Sequence, residues 1–337
     1  MKTWQIAKFG DIDGLELVTR PDPEPGPDEV VVRVRANSLN YRDLMVVTGR
    51  YRASPKPGLV PLSDGAGEVA AVGSRVRRFK VGDRVAAIFH QRWIGGRLRT
   101  EYTGSDLGGS IDGMLSECVL LNADGLLHIP EHLSFEEAAT LPCAAVTAWA
   151  ALTGPIPVTP GDTVLTLGSG GVSVFALQLA KLYGARVIST TSSEEKAERL
   201  KALGADAVID YKRTPDWDKV VSELTGGRGV DYVVEVGGPG TLPRSIKATA
   251  LGGHITLIGI IAGTGQMLDP LSLRGKGLTL RSITVGSRQS FEAMNRAIGL
   301  HKLRPVIDRS FAFADAKQAF RHLEGQKHFG KVVIGAA

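Results

Sequence analysis

Gly168-Ser169-Gly170-Gly171-Val172-Ser173 stand directly behind an apolar run, Val164-Leu165-Thr166-Leu167, and directly before a second, residues 174–182. Glycines in that place leave backbone N–H groups unobstructed at a helix start, where the helix dipole favours an anion. Strand, glycine turn and apolar helix together form the setting in which a dinucleotide pyrophosphate is held. One departure from G-x-G-x-x-G is present, since Ser173 replaces the third glycine, which normally lets helix and strand pack closely. The pattern predicts a nicotinamide dinucleotide site on Gly168, Ser169, Gly170, Gly171 and Val172.

A second strand, Arg186-Val187-Ile188-Ser189-Thr190, runs into hydroxyls. Folds that prefer NAD usually place Asp or Glu about 20 residues past the glycines, to bind the ribose 2′-hydroxyl. Here that stretch is Ser189-Thr190-Thr191-Ser192-Ser193. A carboxylate would repel a 2′-phosphate, whereas Thr191 and Ser192 can donate to it and Lys196 can neutralise it. Tyr211, after a third strand at residues 207–210, is expected to close the same pocket. NADP(H) is therefore expected over NAD(H). Ser193 before Glu194 and Glu195 also reads as a helix N-cap, and both readings can hold together.

Elements that would position these residues follow from periodicity. Residues 1–120 are β-rich, with short strands at residues 29–35, 67–73 and 84–88 and turn signals at Pro21, Pro23, Pro25 and Gly82. Residues 91–115 are polar and glycine-rich and read as a long loop. Beyond residue 124, helices begin at Ser134 and after Pro142, and six strands alternate with helices near Val164, Val187, Val208, Tyr232, Ile255 and residues 278–285. That alternation predicts an α/β fold with a doubly wound, parallel, six-stranded sheet. The terminal strand, Lys331-Val332-Val333-Ile334, is expected to return to the first domain.

The chain has 337 residues, 43% of them hydrophobic, and a net charge of +5. That length supports two domains with cores of their own. No basic run or aromatic–basic interleaving is present, so nucleic acid is not expected as a partner. Cys118 and Cys143 are the only cysteines, which gives no disulfide framework and suits a reducing cytoplasm. With no apolar run long enough to span a bilayer, a soluble protein is expected. Several look-alike motifs fail on context. His128-Ile129-Pro130-Glu131-His132 imitates a metallopeptidase pattern, but Pro130 breaks the helix it needs. Gly325 to Lys331 imitates a phosphate loop, but Val332 replaces the hydroxyl residue and a strand follows. No G-x-S-x-G elbow is present, and no tyrosine has a lysine four residues later.

Asn37-Ser38-Leu39-Asn40-Tyr41-Arg42-Asp43, Pro61 to Val69, Val81-Gly82-Asp83-Arg84-Val85, Ala139 to Trp149, the Gly168 turn and Gly330 to Ile334 carry a resemblance. Together they resemble the zinc-independent medium-chain dehydrogenase/reductase (MDR) superfamily, quinone oxidoreductase-like branch, essentially end to end. The resemblance implies a GroES-like catalytic domain, residues 1–123 with 303–337 returning to it. It also implies a Rossmann domain, residues 124–302, with the cofactor in the cleft. It places Thr147 near the nicotinamide and phosphates, and the backbone of Gly237, Gly238, Gly259 and Ile260 along the ribose and carboxamide. Lys331 would approach the cofactor from the returning domain. Where zinc alcohol dehydrogenases carry a cysteine ligand this chain has Asn40, and where they carry a histidine it has Leu62-Ser63-Asp64. Two cysteines cannot supply a Cys₄ structural site.

Without a Lewis acid, alkoxide loses its usual stabilisation, so reduction of a quinone or an α,β-unsaturated carbonyl is expected, with no metal. Asn40 would orient the acceptor. Tyr41 would supply the proton or a hydrogen bond, or alternatively serve as a packing residue, and Asp43 would tie down the loop. NAD(H)-dependent alcohol or aldehyde chemistry and a non-catalytic dinucleotide-binding redox sensor are the alternatives. A homodimer through residues 278–285 is implied by the family.

Overall fold

Six short strands, mostly buried in the middle four and mostly not at the two edges, mark a sheet covered on both faces over its centre. In the computed structural model, which describes residues 1–51, 56–259 and 270–336, they form one parallel sheet. Its order is Ala207–Asp210, Arg186–Thr191, Thr163–Thr166, Val230–Glu235, Thr249–Leu257 and Thr279–Ser282. The chain starts in the middle, at Thr163–Thr166, winds outwards one way, then returns to Val230–Glu235 and winds the other. Loops leaving the carboxyl ends of those two central strands flank the switch point, where open α/β sheets bind ligands. Leu165, Ile188, Val233 and Ile255 pack with Trp217 and Ile246 as the core of this unit.

Residues 147–285 make up this unit, and residues 1–146 with 286–337 make up the other. Residues 124–146 and 286–302 therefore group with the β-rich part of the chain. The cause is pairing: Leu126–His128 adds antiparallel to Arg84–Ala87, and Arg288 donates to the Asp124 carbonyl at 2.9 Å.

The β-rich unit is a sheet in the order Ile307–Phe311, Lys331–Gly335, Glu29–Leu39, Asp64–Val72, Arg84–Ala87 and Leu126–His128, with Cys118–Asn122 also pairing to Glu29–Leu39. The returning strand Lys331–Gly335 runs antiparallel to residues 36–39. This pairing brings Lys331 beside the chain that enters the helix Tyr41–Val47. Residues 91–115 form no named strand; they contain one 3₁₀ turn, Thr100–Tyr102, and bury Leu107, Met114 and Leu115. No helix among the described residues is long and apolar enough to cross a membrane.

Candidate functional site

The glycine turn begins where Thr163–Thr166 ends. Gly168 takes φ of +75°, the left-handed region that glycine enters without cost, and its N–H donates to Thr190 Oγ1 at 3.1 Å. Gly170 precedes the helix Gly171–Leu182, whose start has no side-chain cap and no acidic residue in its first turn. A Cβ built on Gly168 or on Gly170 would meet no atom within 4 Å among the described residues. These glycines thus face open space at an uncapped helix N-terminus, which suits an anion. Ser173 explains how the motif survives without its third glycine. Its side chain is buried and its hydroxyl turns back to the Leu167 carbonyl at 2.6 Å, so it bonds to the strand end it packs against.

The hydroxyl stretch divides. Thr191 lies wholly in the interior and its Oγ1 has no hydrogen-bond partner among the described residues, so the structure does not bring it to a surface with its neighbours. Ser192 and Lys196 are half-buried, Ser193 Oγ caps the helix Glu194–Ala202 through Lys196 N, and Tyr211 is 38% exposed. Tyr211 N donates to the Thr191 carbonyl at 2.9 Å, fixing it beside the end of Arg186–Thr191. Thr147 is buried. Ile260 lies outside the described residues.

Across the switch point, one buried carboxylate builds the next loop. Glu235 is fully buried at the end of Val230–Glu235. Its Oε1 accepts from Gly237 N at 2.8 Å, Gly238 N at 2.9 Å and Thr241 Oγ1 at 2.6 Å, and Ser245 Oγ donates to Oε2. The amides of Gly237 and Gly238 are consequently engaged within the protein, the Gly238 carbonyl accepts from Thr241 N and Leu242 N, and a Cβ on Gly237 would run into the Thr241 side chain. A Cβ on Gly259 would lie 2.1 Å from the Val236 carbonyl oxygen, so Gly259 is required by the close approach of two loops. A signal for Glu235 existed in the sequence: a carboxylate ends an otherwise apolar strand and two glycines follow.

In the β-rich unit a second constellation forms around Asn40. Lys331, 2% exposed, donates from Nζ to the Leu39 carbonyl at 2.7 Å and to Asn40 Oδ1 at 2.6 Å, and stands 3.6 Å from Asp64. Asp64 also accepts from Ser63 Oγ at 2.9 Å. Asp43 Oδ2 takes the Asn40 N–H at 2.8 Å. Arg42 reaches Asp43 at 3.3 Å and Asp106 at 3.0 Å, and its guanidinium lies over the rings of Tyr51 and Phe89. Leu62, just ahead of Ser63 and Asp64, adopts φ of +73°. A non-glycine residue there costs about 1–3 kcal/mol and persists only where its surroundings hold it. Met114 N bonds to its carbonyl, and Cβ atoms on Gly108 or Gly113 would fall within 3 Å of its backbone. Tyr41 packs its ring against the core of this unit.

Three carboxyls thus share a dry cluster with two cations. Burial pushes the Asp43 carboxyl up to about 6, against the opposing pull of Arg42. Asp64 is raised by burial too, with Lys331 opposing, and burial pushes the Cys143 thiol up. Between about pH 4 and 6 the folded chain keeps a proton on Asp43 that the unfolded chain has released, so this contribution to stability is present at low pH and lost as pH rises through 6. Asp43→Asn should therefore flatten the fall in Tm across that window relative to the wild type. Carboxylates with lowered values, such as Asp231 and Asp308, act in the opposite sense in both proteins and cancel in the comparison. Parallel curves would contradict the assignment.

The donor set around Asn40 suits a zinc ion poorly. Asn40 offers an amide oxygen already held by an ammonium, and Ser63 offers a hydroxyl where imidazole or thiolate would be needed. Among the described residues no group of three or more His, Cys, Asp or Glu side chains is placed to hold a metal.

The alcohol dehydrogenase GroES-like domain family matches residues 26–131, and the zinc-binding dehydrogenase family matches residues 171–299. A zinc-type alcohol dehydrogenase-like protein of Schizosaccharomyces pombe is 44% identical over 314 residues, 91% of each chain. A quinone oxidoreductase of Pseudomonas aeruginosa is 35% identical over 99% of each chain. A solved structure from Sinorhizobium meliloti 1021, described as an alcohol dehydrogenase, superposes with a TM-score of 0.93 at 40% identity, covering 99% of this chain and 98% of that one. A mycobacterial protein complexed with NADPH gives 0.84 at 28% identity, over 99% and 100%.

Fold and site define an NAD(P)H-dependent oxidoreductase with a GroES-like unit and a Rossmann-type unit. The chain belongs to the medium-chain dehydrogenase/reductase superfamily, in its quinone oxidoreductase-like branch.

Proposed function

We propose that this chain is an NADPH-dependent reductase of quinones or α,β-unsaturated carbonyls that works without zinc. The observation that carries the reading is the open space over Gly168 and Gly170 at an uncapped helix start, where free backbone N–H groups and the helix dipole suit a pyrophosphate. Hydroxyl and ammonium groups at Ser192 and Lys196, where an acid would mark NAD, support the 2′-phosphate. Relatives that act on quinones or bind NADPH point the same way.

When bound, a reduced nicotinamide supplies a hydride. The chain's own residues have three tasks: holding the nucleotide, orienting the acceptor and managing charge on the acceptor's oxygen. Asn40 donates to that oxygen as negative charge develops, an effect strongest in a dry site. Tyr41 delivers a proton to the enolate carbon or positions the water that does. A quinone needs no dedicated acid, since solvent protonates the hydroquinone oxygen.

Alcohol oxidation is the second reading, favoured by the name of the Schizosaccharomyces pombe relative. Steady-state consumption of NADPH and NADH under excess chelator separates the two. The expected result is turnover with a quinone or an enal, with kcat/KM for NADPH at least about tenfold above that for NADH. Activity confined to an alcohol–aldehyde pair, or abolished by chelator, overturns the proposal. We further propose a cytoplasmic homodimer joined through the edge strand Thr279–Ser282. Exposed edges call for a partner or cover, and light scattering reads the mass directly.

A further inference from the structure

Asn40 is held at its backbone N–H and at its side-chain oxygen. Asp43 fixes its backbone N–H at 2.8 Å, and Lys331 fixes its Oδ1 at 2.6 Å and the preceding Leu39 carbonyl at 2.7 Å. An ammonium at the oxygen forbids the flipped amide, because a flip would set N–H groups against N–H groups. Nδ2 therefore points away from Lys331. It is buried, hydrogen bonding from it favours the ionised form of Asp64, and it meets no acceptor in full hydrogen-bond geometry among the described residues. Asp64 can take at most one of its two hydrogens, so a rigid donor remains, and a buried polar group left over calls for an acceptor.

Lys331 itself has nothing to spare. Two of its N–H groups are bonded to Leu39 and Asn40, and the third faces Asp64. With a side chain 2% exposed, it has no donor left for a phosphate or a ribose. We propose that Lys331, balanced by Asp64, is a positioning residue that acts through Asn40 and not on the cofactor. It locks the amide with Nδ2 as donor to the acceptor's carbonyl or quinone oxygen. The ammonium on Oδ1 also polarises the amide and makes its N–H a stronger donor. This inference rests on the reductase reading above and assigns that reaction a new positioning group.

A double-mutant cycle with Lys331→Met and Asn40→Ala tests it, read as kcat/KM for the acceptor and as NADPH Kd by fluorescence. Each single variant should lose about 10- to 100-fold in kcat/KM, and the double variant should be no worse than either. NADPH Kd should stay within about twofold throughout. An NADPH Kd weakened about tenfold by Lys331→Met, or losses that multiply in the double variant, would overturn the inference. Should Lys331→Met fail to fold because Asp64 is left unpaired, Lys331→Met with Asp64→Asn removes both charges and takes its place in the cycle. If the wild type reduces neither acceptor, the reductase reading falls, and the inference is judged on the Asn40 side-chain amide protons by NMR. Slow exchange in the wild type that becomes fast without Lys331 supports it; equal exchange in both overturns it.

Discussion

Gly170→Ala should fold as the wild type does and bind NADPH about a hundredfold more weakly, a loss of ~2.8 kcal/mol. Gly170 sits at φ −78° and ψ 179°, extended backbone that any L residue adopts. No described atom lies within 4 Å of the added Cβ, so the fold has no reason to object. Only a ligand would. Gly168 makes a poorer test, since its φ of +75° strains any replacement and mixes stability with binding. Isothermal titration beside a thermal melt gives both readings. An unchanged NADPH affinity at unchanged Tm would show that the turn does not carry the pyrophosphate.

Glu235→Ala should destabilise the protein by roughly 3–5 kcal/mol, because four donors lose their acceptor in a dry interior. Those donors are Gly237 N, Gly238 N, Thr241 Oγ1 and Ser245 Oγ. Glu235→Gln is the informative control. Its remaining oxygen can serve the three donors now on Oε1, and its NH₂ can donate to the Ser245 hydroxyl, which also accepts. The glutamine variant should therefore recover most of the loss. Urea unfolding measures both, and a cost below about 1 kcal/mol for the alanine variant would refute the loop-building role.

The parallel sheet was legible because most of its strands carry an apolar run closed by turn residues, so local pattern and global position agree; the edge strand Thr279–Ser282 holds one apolar residue and followed only from the alternation of strands and helices. Much of the β-rich unit was not. Strand Glu29–Leu39 runs through Asn37 and Ser38, polar residues that look like a loop. Both are buried, and Asn37 Nδ2 donates to the carbonyls of Asp64 and Met114. Partners that far along the chain leave no trace in a local window. The same holds for the charged cluster. Lys331 stands in the sequence as a charge at the start of the terminal strand, which the resemblance sets near the cofactor; only antiparallel pairing with residues 36–39 sets it against Asn40. Asp64 stands in the sequence only as part of the Leu62-Ser63-Asp64 departure from zinc alcohol dehydrogenases, and nothing near it shows that Lys331 and Ser63 close on it. The hydroxyls after Arg186–Thr191 were readable by type but not by direction, and Thr191 points inward.

Label transfer from 4,4-dideuterated NADPH to an enal under excess chelator decides whether hydride passes without metal to an activated double bond. Deuterium is expected on the β-carbon of a saturated aldehyde, at a rate the chelator does not change. Deuterium on the carbonyl carbon of an allylic alcohol, or a reaction that stops when chelator is added, would contradict that expectation.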